Sequence, residues 1–507
     1  MRALLSVYDK SGLEGFAAGL SALGVELVAS GGTSQALSRA GIAHRTVEDV
    51  TGAPEMLGGR VKTLHPAIHG GILADLDDPA HRADLGAQGI EPIGLVACNL
   101  YPFRSQPSVE MIDIGGPTMV RAAAKNHAHV AVVVDPAEYG LILDELRREG
   151  EVTEATRRRL ARAAFAHVAA YDAAIVSWFD EPARGEGAEL PPTVHLALEH
   201  AQALRYGENP HQMGARYRLM GDPPGCWDSA VQHGGRELSY LNLFDADAAW
   251  RLVHEVAEMA ASAAAVIVKH ANPCGVAVAS DVGTAYRLAF EADPLSAFGG
   301  IVALSGAVDD AVAEAIIANP LADVLVAPGY GEEGLRRFAE RRRNMRALQV
   351  SPPSELGWRL RQIDGGALVQ EPDRLLAGRD TWTVASKVAP TDQQWRDLQL
   401  AWLVCARTSS NAIVLARDGQ VVGVGCGQQS RVDAAGIAAR KADGRAVGGA
   451  AASDAFFPFR DGLDAVADAG VGAVVQPGGS LRDDEIVAAA DERGIALVLT
   501  GERHFRH

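Results

Sequence analysis

Short apolar runs alternate with helix-patterned stretches over residues 1 to 180. This alternation restricts the possible fold class more than any other feature of the sequence. The runs that predict strands lie at residues 3–7, 25–29, 94–103 and 130–134, and the stretches that predict helices lie at 12–23, 111–127 and 144–175. Strands that alternate with helices are typical of a parallel sheet covered by helices. We therefore predict an α/β fold that begins with a parallel α/β domain.

The alternation resumes toward the end of the chain. Residues 409–434 predict a strand pair about Asp418-Gly419, a strong hairpin signal. The Gly-x-Gly-x-Gly spacing at 423–427 differs from the dinucleotide fingerprint and indicates close packing instead. Residues 180–192 are rich in glycine, proline and charge, so we predict a linker there and a domain boundary near 185–198. No internal sequence repeat is evident.

Composition excludes several classes of protein. The 507 residues exceed what one core accommodates, so two or three domains are expected. A net charge of -17 argues against a nucleic-acid or membrane-surface binder. Five scattered cysteines indicate neither a disulfide framework nor a thiolate zinc site. No signal peptide and no membrane span is evident, so we expect a cytoplasmic protein.

The run from Ala263 to Val276 carries two titratable side chains at the end of an apolar segment. Its β-branched residues predict a buried strand, and a turn is predicted at Asn272 to Gly275. Lys269 and His270 would then lie at the strand end, where a base stands beside a group that stabilises an anion. The alternative is a solvated Lys-His pair, which loops often carry.

Two further segments are candidates for anion binding. Ser30, Gly31, Gly32 and Thr33 lie between a strand and a helix start, where backbone N–H groups can hold a phosphate. The alternative there is a tight connection. Residues 58–66, GGRVKTLHP, are dense in basic groups, and the alternative is a solvated loop.

A dozen short phrases resemble one protein family in both order and spacing. They are SVYDK, VASGGTSQAL, GGRVKTLHP, CNLYPF, IDIGGPTMVRAAAKNH, LRYGENPHQ, VKHANPCGV, SAFGGIVAL, SSNAIVLA, GQQSRVDA, SDAFFPF and QPGGS. The sequence is similar to the bifunctional purine-biosynthesis family that joins AICAR transformylase to IMP cyclohydrolase. The resemblance runs from the first residues to the last.

The resemblance implies a fold and an assembly. An IMP cyclohydrolase domain similar to methylglyoxal synthase is expected over 1–197, and an AICAR transformylase domain of two cytidine-deaminase-like subdomains over 198–507. The deaminase zinc signature is absent, because Pro273-Cys274 has no second cysteine three residues on, so no catalytic metal is expected. The resemblance also implies a homodimer whose transformylase sites cross the subunit interface.

For the transformylase, the resemblance implies that 10-formyltetrahydrofolate formylates the 5-amino group of AICAR to give FAICAR. His270 matches the base and Lys269 the group that stabilises the oxyanion. The positions that match substrate contacts are Arg205, Tyr206, His211, Gly299, Asp323, Asn411, Arg431, Phe456, Arg503 and His507. The positions that match folate contacts are Val432, Asp461, Ser480 and Leu481.

For the cyclohydrolase, the resemblance implies dehydrative closure of FAICAR to IMP. The positions that match this chemistry are Lys62, Tyr101, Asp113 and Lys125, with Lys125 the leading candidate for proton transfer. The positions that match nucleotide contacts are Tyr8, Asp9, Lys10, Ser30, Gly31, Gly32, Thr33, Arg60, Val61, Thr63, Cys98, Asn99 and Ile114. From the residues alone, Lys125 is also explained as a cation near a helix C-terminus.

The sequence departs from the family pattern at two positions, and two rival functions stand beside the expected one. Ser409 stands where many bacterial relatives have lysine, and Tyr8 replaces a frequent serine. The first rival is a nucleotide-binding module without turnover, which predicts that replacing Lys269 or His270 leaves product formation unchanged. The second is a nicotinamide-dependent oxidoreductase, whose Gly-x-Gly-x-x-Gly fingerprint the sequence lacks.

Overall fold

The computed structural model describes residues 1–54, 56–180, 190–320, 322–355 and 357–507. The chain divides into two compact units, one of Met1–Glu199 with Arg218–Asp222 and one of His200–Tyr217 with Pro223–His507. Nine residues of the predicted linker, 181–189, lie outside the described part. Among the described residues, no helix combines the length and hydropathy that crossing a bilayer requires.

The first unit is built on a five-stranded parallel sheet in the order β3-β2-β1-β4-β5. Its strands are β1 (Arg2–Leu5), β2 (Glu26–Ala29), β3 (Arg45–Thr46), β4 (Leu95–Ala97) and β5 (Ala131–Val133). Its helices are α1 (Leu13–Ala22), α2 (Gly31–Arg39), α3 (Val47–Thr51), α4 (Pro66–Leu73), α5 (Pro79–Gln88), α6 (Gly115–Lys125), α7 (Tyr139–Glu149) and α8 (Glu154–Asp180).

The predicted parallel α/β domain is therefore confirmed. The central strands β1 and β4 are buried throughout, as expected for strands covered on both faces. Residues 144–175, predicted as one helix, form parts of α7 and α8 instead. Gly150 ends α7 in the left-handed conformation, which glycine adopts without strain.

The second unit contains one twelve-stranded mixed sheet in the order β16-β21-β20-β19-β17-β18-β10-β9-β11-β12-β13-β8. The elements between residues 198 and 370 are β6 (Leu198–Leu204), β7 (Gly214–Leu219), β8 (Val231–Gly234), α9 (Tyr240–Ala260), β9 (Ala263–Lys269), β10 (Asn272–Ala279), α10 (Val282–Ala292), α11 (Pro294–Ala297), β11 (Ile301–Leu304), α12 (Asp310–Ala318), β12 (Val324–Ala327), α13 (Glu332–Arg341), β13 (Arg346–Gln349), β14 (Arg359–Ile363) and β15 (Gly366–Gln370). The remaining elements are β16 (Thr383–Val384), α14 (Asp392–Ala406), β17 (Ile413–Arg417), β18 (Gln420–Gly425), α15 (Arg431–Ala442), β19 (Ala450–Ser453), α16 (Arg460–Asp468), β20 (Ala473–Gln476), α17 (Asp483–Arg493) and β21 (Ala496–Leu499).

This sheet consists of two halves with the same topology, although no sequence repeat is evident. Each half has a long helix, an antiparallel hairpin and three further parallel strands joined by helices. The strand order is β10-β9-β11-β12-β13 in the first half and β18-β17-β19-β20-β21 in the second. The halves join where Ala277 of β10 pairs with Gln420 of β18. The repeat is therefore one of backbone topology. Different apolar residues can fill equivalent core positions, so the topology can repeat without a repeat in the sequence.

Glycines in the hairpins let helices pack directly on the sheet. A Cβ added at Gly423 would lie 2.2 Å from the carbonyl oxygen of Ala438 in α15. The matching position in the first half is Gly275, where a Cβ would lie 2.0 Å from the carbonyl oxygen of Ala289 in α10. The close packing predicted for the glycine spacing at 423–427 is confirmed at Gly423 and at Gly425, where a Cβ would lie 1.9 Å from the carbonyl oxygen of Ala434. A Cβ at Gly427 would have nothing within 4 Å.

Candidate active sites

The carboxyl ends of β1, β2 and β4 meet at one edge of the first sheet, and side-chain bonds hold their loops together. The side-chain oxygen of Asn99 accepts from the backbone N–H groups of Tyr8 (2.6 Å) and Asp9 (2.9 Å), and its amide group donates to the Asp9 carbonyl (3.0 Å). The Thr33 hydroxyl accepts from the Val7 N–H (3.0 Å) and donates to its carbonyl (3.1 Å). The start of α2 is thereby fixed at this edge.

Two ammonium groups lie beside the glycine turn that begins α2. A Cβ on Gly31 would lie 3.2 Å from Lys62 Nζ, and one on Gly32 would lie 3.7 Å from Lys10 Nζ. A helix N-terminus with unpaired backbone N–H groups attracts anions, and nearby cations strengthen that attraction. The arrangement is suited to a phosphate group. Arg60 lies in the following loop and pairs with Glu110 at 2.6 Å.

A half-buried carboxylate lies just before α6. Asp113 accepts from the Gly116 N–H at 2.8 Å, and its own N–H donates to the Tyr171 hydroxyl at 2.8 Å. Burial raises the pKa of Asp113, although the backbone N–H groups of Gly116, Tyr101 and Gly115 oppose the shift. The pKa of Tyr101 is raised by burial and by the charge of Asp113, while Lys62 lowers it. These three groups therefore interact electrostatically, and the phenol stays protonated as a hydrogen-bond donor.

The remaining predicted nucleotide positions surround this edge. Cys98 is buried, and its burial raises the pKa of the thiol well above the usual value, so it is not a nucleophile at neutral pH. Thr63 is buried, and a Cβ on Gly115 would lie 3.0 Å from its hydroxyl. Tyr8 stacks edge-on against Tyr101 with ring centroids 5.7 Å apart. The predicted positions with exposed side chains are Tyr8, Asp9, Lys10, Arg60, Val61 and Ile114.

Lys125 lies apart from this cluster. It is exposed in the last turn of α6, whereas Asp113 precedes the first turn. Lys125 is ten positions after Gly115 in α6, so about 15 Å of helix axis separates the two residues, which exceeds the reach of a lysine side chain. Within one chain, the structure brings Lys62, Tyr101 and Asp113 together but does not bring Lys125 to them.

In the second unit, Lys269 and His270 lie at the end of β9, but the turn differs from the predicted one. The turn residues are His270 and Ala271, both left-handed with φ of 57° and 55°, and Asn272 already begins β10. The prediction of a turn at Asn272 to Gly275 was therefore wrong, because Pro273 pairs within the ladder and Gly275 serves the contact with α10. The tight turn breaks the strand alternation, and Lys269 Nζ donates to the Phe298 carbonyl at 2.8 Å.

Polar side chains connect this turn to distant segments of the same unit. Asn272 donates to the His270 carbonyl at 3.0 Å and accepts from the Ser409 N–H at 2.8 Å. Arg506 donates to the Ala271 carbonyl at 2.9 Å, and its own carbonyl accepts from the Ser410 N–H at 2.9 Å. The segments that carry Asn411 and the residues 503–507 are thus tied to the His270 turn.

An arginine and a buried aspartate lie beside Asn411. Arg431 donates to Asp454 at 2.6 Å and to the Ser453 hydroxyl at 3.0 Å, and Ser410 also donates to Asp454 at 2.5 Å. The Phe505 ring lies under two guanidinium groups, with Arg503 at 4.3 Å and Arg431 at 5.8 Å from its centroid. This cluster offers planar cations and an aromatic face to a flat anionic ligand.

The other predicted substrate positions form a second group. The Arg205 guanidinium donates to the Tyr206 hydroxyl at 2.6 Å. Burial lowers the pKa of the Arg346 guanidinium. The positive charge of Arg205 also lowers this pKa, whereas the negative charge of Asp323 raises it. The Asp323 N–H donates to the Gly300 carbonyl at 2.9 Å, next to Gly299 with φ of 73°. These residues share one neighbourhood, and His211 is exposed.

The predicted folate positions lie at the starts of helices and in a loop. Val432 and Asp461 are in the first turns of α15 and α16, and Ser480 and Leu481 precede α17. Of the nearby phenylalanines, Phe457 is buried, whereas Phe456 and Phe459 are exposed. The loop at residues 456–459 therefore places one phenylalanine ring in the core and exposes two to solvent.

His504 fixes the last residues to the fold and makes stability depend on pH. It is buried, and its ring nitrogens face Asp373 at 2.9 Å and Glu502 at 3.0 Å. Burial lowers the pKa of His504, but its bonds to the two carboxylates outweigh burial and raise the pKa above the usual value. The raised pKa adds stability that is complete below the unfolded pKa of about 6.5 and is lost as pH rises through the folded pKa.

We therefore expect the Tm, measured by calorimetry, to fall as the pH rises above about 6.5 and the imidazolium is lost. His504→Gln should lower the Tm at pH 6 and flatten this part of the profile. Parallel profiles for the two proteins would show that His504 does not carry the dependence.

Sequence reasoning missed several residues that organise these sites. Asp245, Asn272, Asp454 and Arg506 hold loops together, and Arg346 lies beside Asp323. Of these residues, Asp245 alone could have been noticed in the sequence, because a carboxylate among the apolar residues of a helix is unusual.

Two family models match the chain. The model described as the AICARFT/IMPCHase bienzyme matches residues 123–441, and the model of an MGS-like domain matches residues 12–127. The chain is also similar to a solved structure described as the crystal structure of ForH, with 38% identity, coverage of 35% of this chain and 98% of that chain, and a TM-score of 0.33. The MGS-like family model confirms the expected N-terminal domain like methylglyoxal synthase. Because the bienzyme model covers more than half of the sequence, the chain belongs to the AICAR transformylase/IMP cyclohydrolase bienzyme family of purine biosynthesis and is an enzyme with both activities.

Proposed function

We propose that this chain catalyses the last two steps of IMP synthesis. Formyl transfer from 10-formyltetrahydrofolate to the 5-amino group of AICAR is assigned to residues 198–507, and closure of FAICAR to IMP is assigned to residues 1–197. The observation that carries the proposal is the tight turn that presents His270 immediately after Lys269, whose ammonium lies at the end of β9.

In formyl transfer, the AICAR amine attacks the formyl carbon while His270 accepts the proton that the amine loses. The amine lone pair is delocalised into the ring, so assistance at this proton matters. The oxyanion that forms is stabilised by Lys269, whose ammonium donates to the Phe298 carbonyl and has two N–H groups left. Collapse of the adduct breaks the bond to N10 of the folate, which takes up the proton from His270.

Binding of the two reactants is assigned to the surrounding groups. Arg431, Phe456, Arg503 and Asn411 are proposed to contact AICAR with Arg205, Tyr206, Gly299 and Asp323, while Val432, Asp461, Ser480 and Leu481 contact the folate. Guanidinium groups suit a phosphate and a carboxamide oxygen, and aromatic faces suit flat rings. His211 and His507 assist at the rim. We propose a homodimer, consistent with substrate positions that fall into two groups within one chain.

In ring closure, the carboxamide nitrogen attacks the formamide carbon and water leaves. Both reacting groups belong to one molecule, so holding them in place supplies much of the acceleration. Lys62 and protonated Tyr101 can donate to the carbonyl oxygen that departs as water, and Asp113 can accept the amide proton. The phosphate would lie at the start of α2 beside Lys10. Lys125 enters this step through the family resemblance alone.

The test is incubation of the purified protein with AICAR and 10-formyltetrahydrofolate, with FAICAR and IMP measured separately. We expect FAICAR to form first and IMP to follow. Binding of AICAR without either product would support a nucleotide-binding module instead. The folate serves as co-substrate, and the proposal invokes no catalytic metal.

A further inference from the structure

A buried carboxylate accepts hydrogen bonds from the turn that carries His270. Asp245 lies in the second turn of α9 and is 7% exposed. One of its oxygens accepts from the His270 N–H at 2.9 Å, and the other accepts from the Ala271 N–H at 2.9 Å. Both turn residues have left-handed backbones, a conformation that alanine and histidine seldom adopt. Such backbone geometry persists only where the surroundings impose it.

The second half of the sheet repeats this arrangement without the imidazole. Asp397 in α14 is 1% exposed and accepts from the N–H groups of Asp418 (3.0 Å) and Gly419 (2.9 Å). That turn has φ of 52° and 78°, but its Asp-Gly sequence favours a left-handed turn by itself. The His-Ala turn has no such intrinsic preference, so it depends more on its carboxylate.

We propose that Asp245 is a positioning residue for formyl transfer: by accepting from both N–H groups of the turn, it fixes the direction in which the His270 imidazole leaves the backbone. This inference rests on the proposed role of His270. Two further contacts restrain the same turn, from Asn272 to the His270 carbonyl and from Arg506 to the Ala271 carbonyl. Burial raises the pKa of Asp245, whereas its N–H donors and the charges of His270 and Arg506 lower it.

Asp245→Asn tests the proposal because it preserves shape but replaces one acceptor oxygen with an N–H donor that faces a backbone N–H. Asp397→Asn makes the same change at the matching turn and is the control. We expect both variants to lose similar thermal stability. Only Asp245→Asn should lower kcat for formyl transfer, by about 10- to 100-fold, since an ångström of misplacement is enough for such a loss. KM for AICAR and cyclisation of added FAICAR should stay near wild type in both variants.

A second substitution covers the case in which Asp245→Asn does not fold. In Asp245→Asn/Ala271→Gly, glycine adopts the left-handed conformation without the carboxylate, so folding and part of kcat should return. A double variant that folds with full kcat would overturn the proposal, because glycine supplies no carboxylate acceptor. An equal loss of kcat in Asp245→Asn and Asp397→Asn, or a rise in KM alone, would also overturn it.

His270→Ala, run in the same assay, separates this inference from the function on which it rests. If His270→Ala retains formyl transfer, the proposed base is wrong. If His270→Ala abolishes formyl transfer while Asp245→Asn is normal, only the positioning role is wrong.

Discussion

Replacement of His270 by alanine should lower the rate of FAICAR formation by about 10²- to 10⁴-fold, the usual contribution of a positioned general base. The AICAR amine is a weak nucleophile, and without the imidazole its proton has no acceptor in the turn. Added FAICAR should still cyclise at the wild-type rate, since ring closure is assigned to the other unit. The measurement is single-turnover formation of FAICAR at saturating AICAR and 10-formyltetrahydrofolate.

The fold offers a matched control for this variant. Asp418 occupies the same place in the second hairpin turn and has a similar backbone, with φ of 52° against 57° for His270. Asp418→Ala therefore introduces alanine into an equivalent conformation, and we expect formyl transfer to survive it. Equal losses in the two variants would mean that the turn geometry, and not the imidazole, is what the reaction needs.

Replacement of Lys62 by alanine should slow ring closure by about 10²- to 10³-fold, the cost of removing one well-placed donor to a developing charge. FAICAR should then accumulate from AICAR while its formation continues at the wild-type rate. The Lys62 ammonium lies beside the Gly31 turn, and its charge lowers the pKa of Tyr101. Lys62→Ala therefore removes a cation from the proposed phosphate site and from the groups proposed to act in ring closure. Separate measurement of FAICAR and IMP over time provides the test.

Lys125→Ala is the decisive comparison for that step. The family resemblance predicts that this variant also accumulates FAICAR. The geometry within one chain predicts normal ring closure, because Asp113 precedes the first turn of α6 and Lys125 lies in its last turn, about 15 Å further along the helix axis. Normal IMP yield from Lys125→Ala would assign the step to Lys62, Tyr101 and Asp113. Loss of ring closure would mean that Lys125 reaches the substrate by a route outside this cluster.

The sequence predicted the parallel domain well because its strands are short, apolar and separated by regular helices. It predicted the Asp418-Gly419 hairpin for a local reason, since that pair favours the required turn. It missed the His270-Ala271 turn for the same reason: Asn272-Pro273 carries the stronger local signal, and the carboxylate that imposes the actual turn lies 25 residues earlier in α9. Local patterns cannot report a contact made at that separation.

In the candidate sites, too, local features could be predicted from the sequence and long-range contacts could not. Glycine turns and basic loops marked the phosphate edge, but Asn99 was expected to touch the nucleotide, and the structure shows that it also ties two loops together. Arg506 could not be recognised as a restraint on the His270 turn, because 235 residues separate it from Ala271. Long-range polar contacts of this kind become visible only when the chain is folded.

The matched halves of the second sheet bear on how such an enzyme tolerates change. One hairpin turn carries the proposed reactive pair, whereas the matching turn at Asp418 and Gly419 carries none of the proposed site residues. Random substitution should therefore be asymmetric: positions 418 and 419 should accept any residues that tolerate their backbone angles, whereas positions 269 and 270 should accept almost none. The same backbone turn thus occurs twice in the sheet, and the proposed chemistry would restrict the sequence of only one of the two turns.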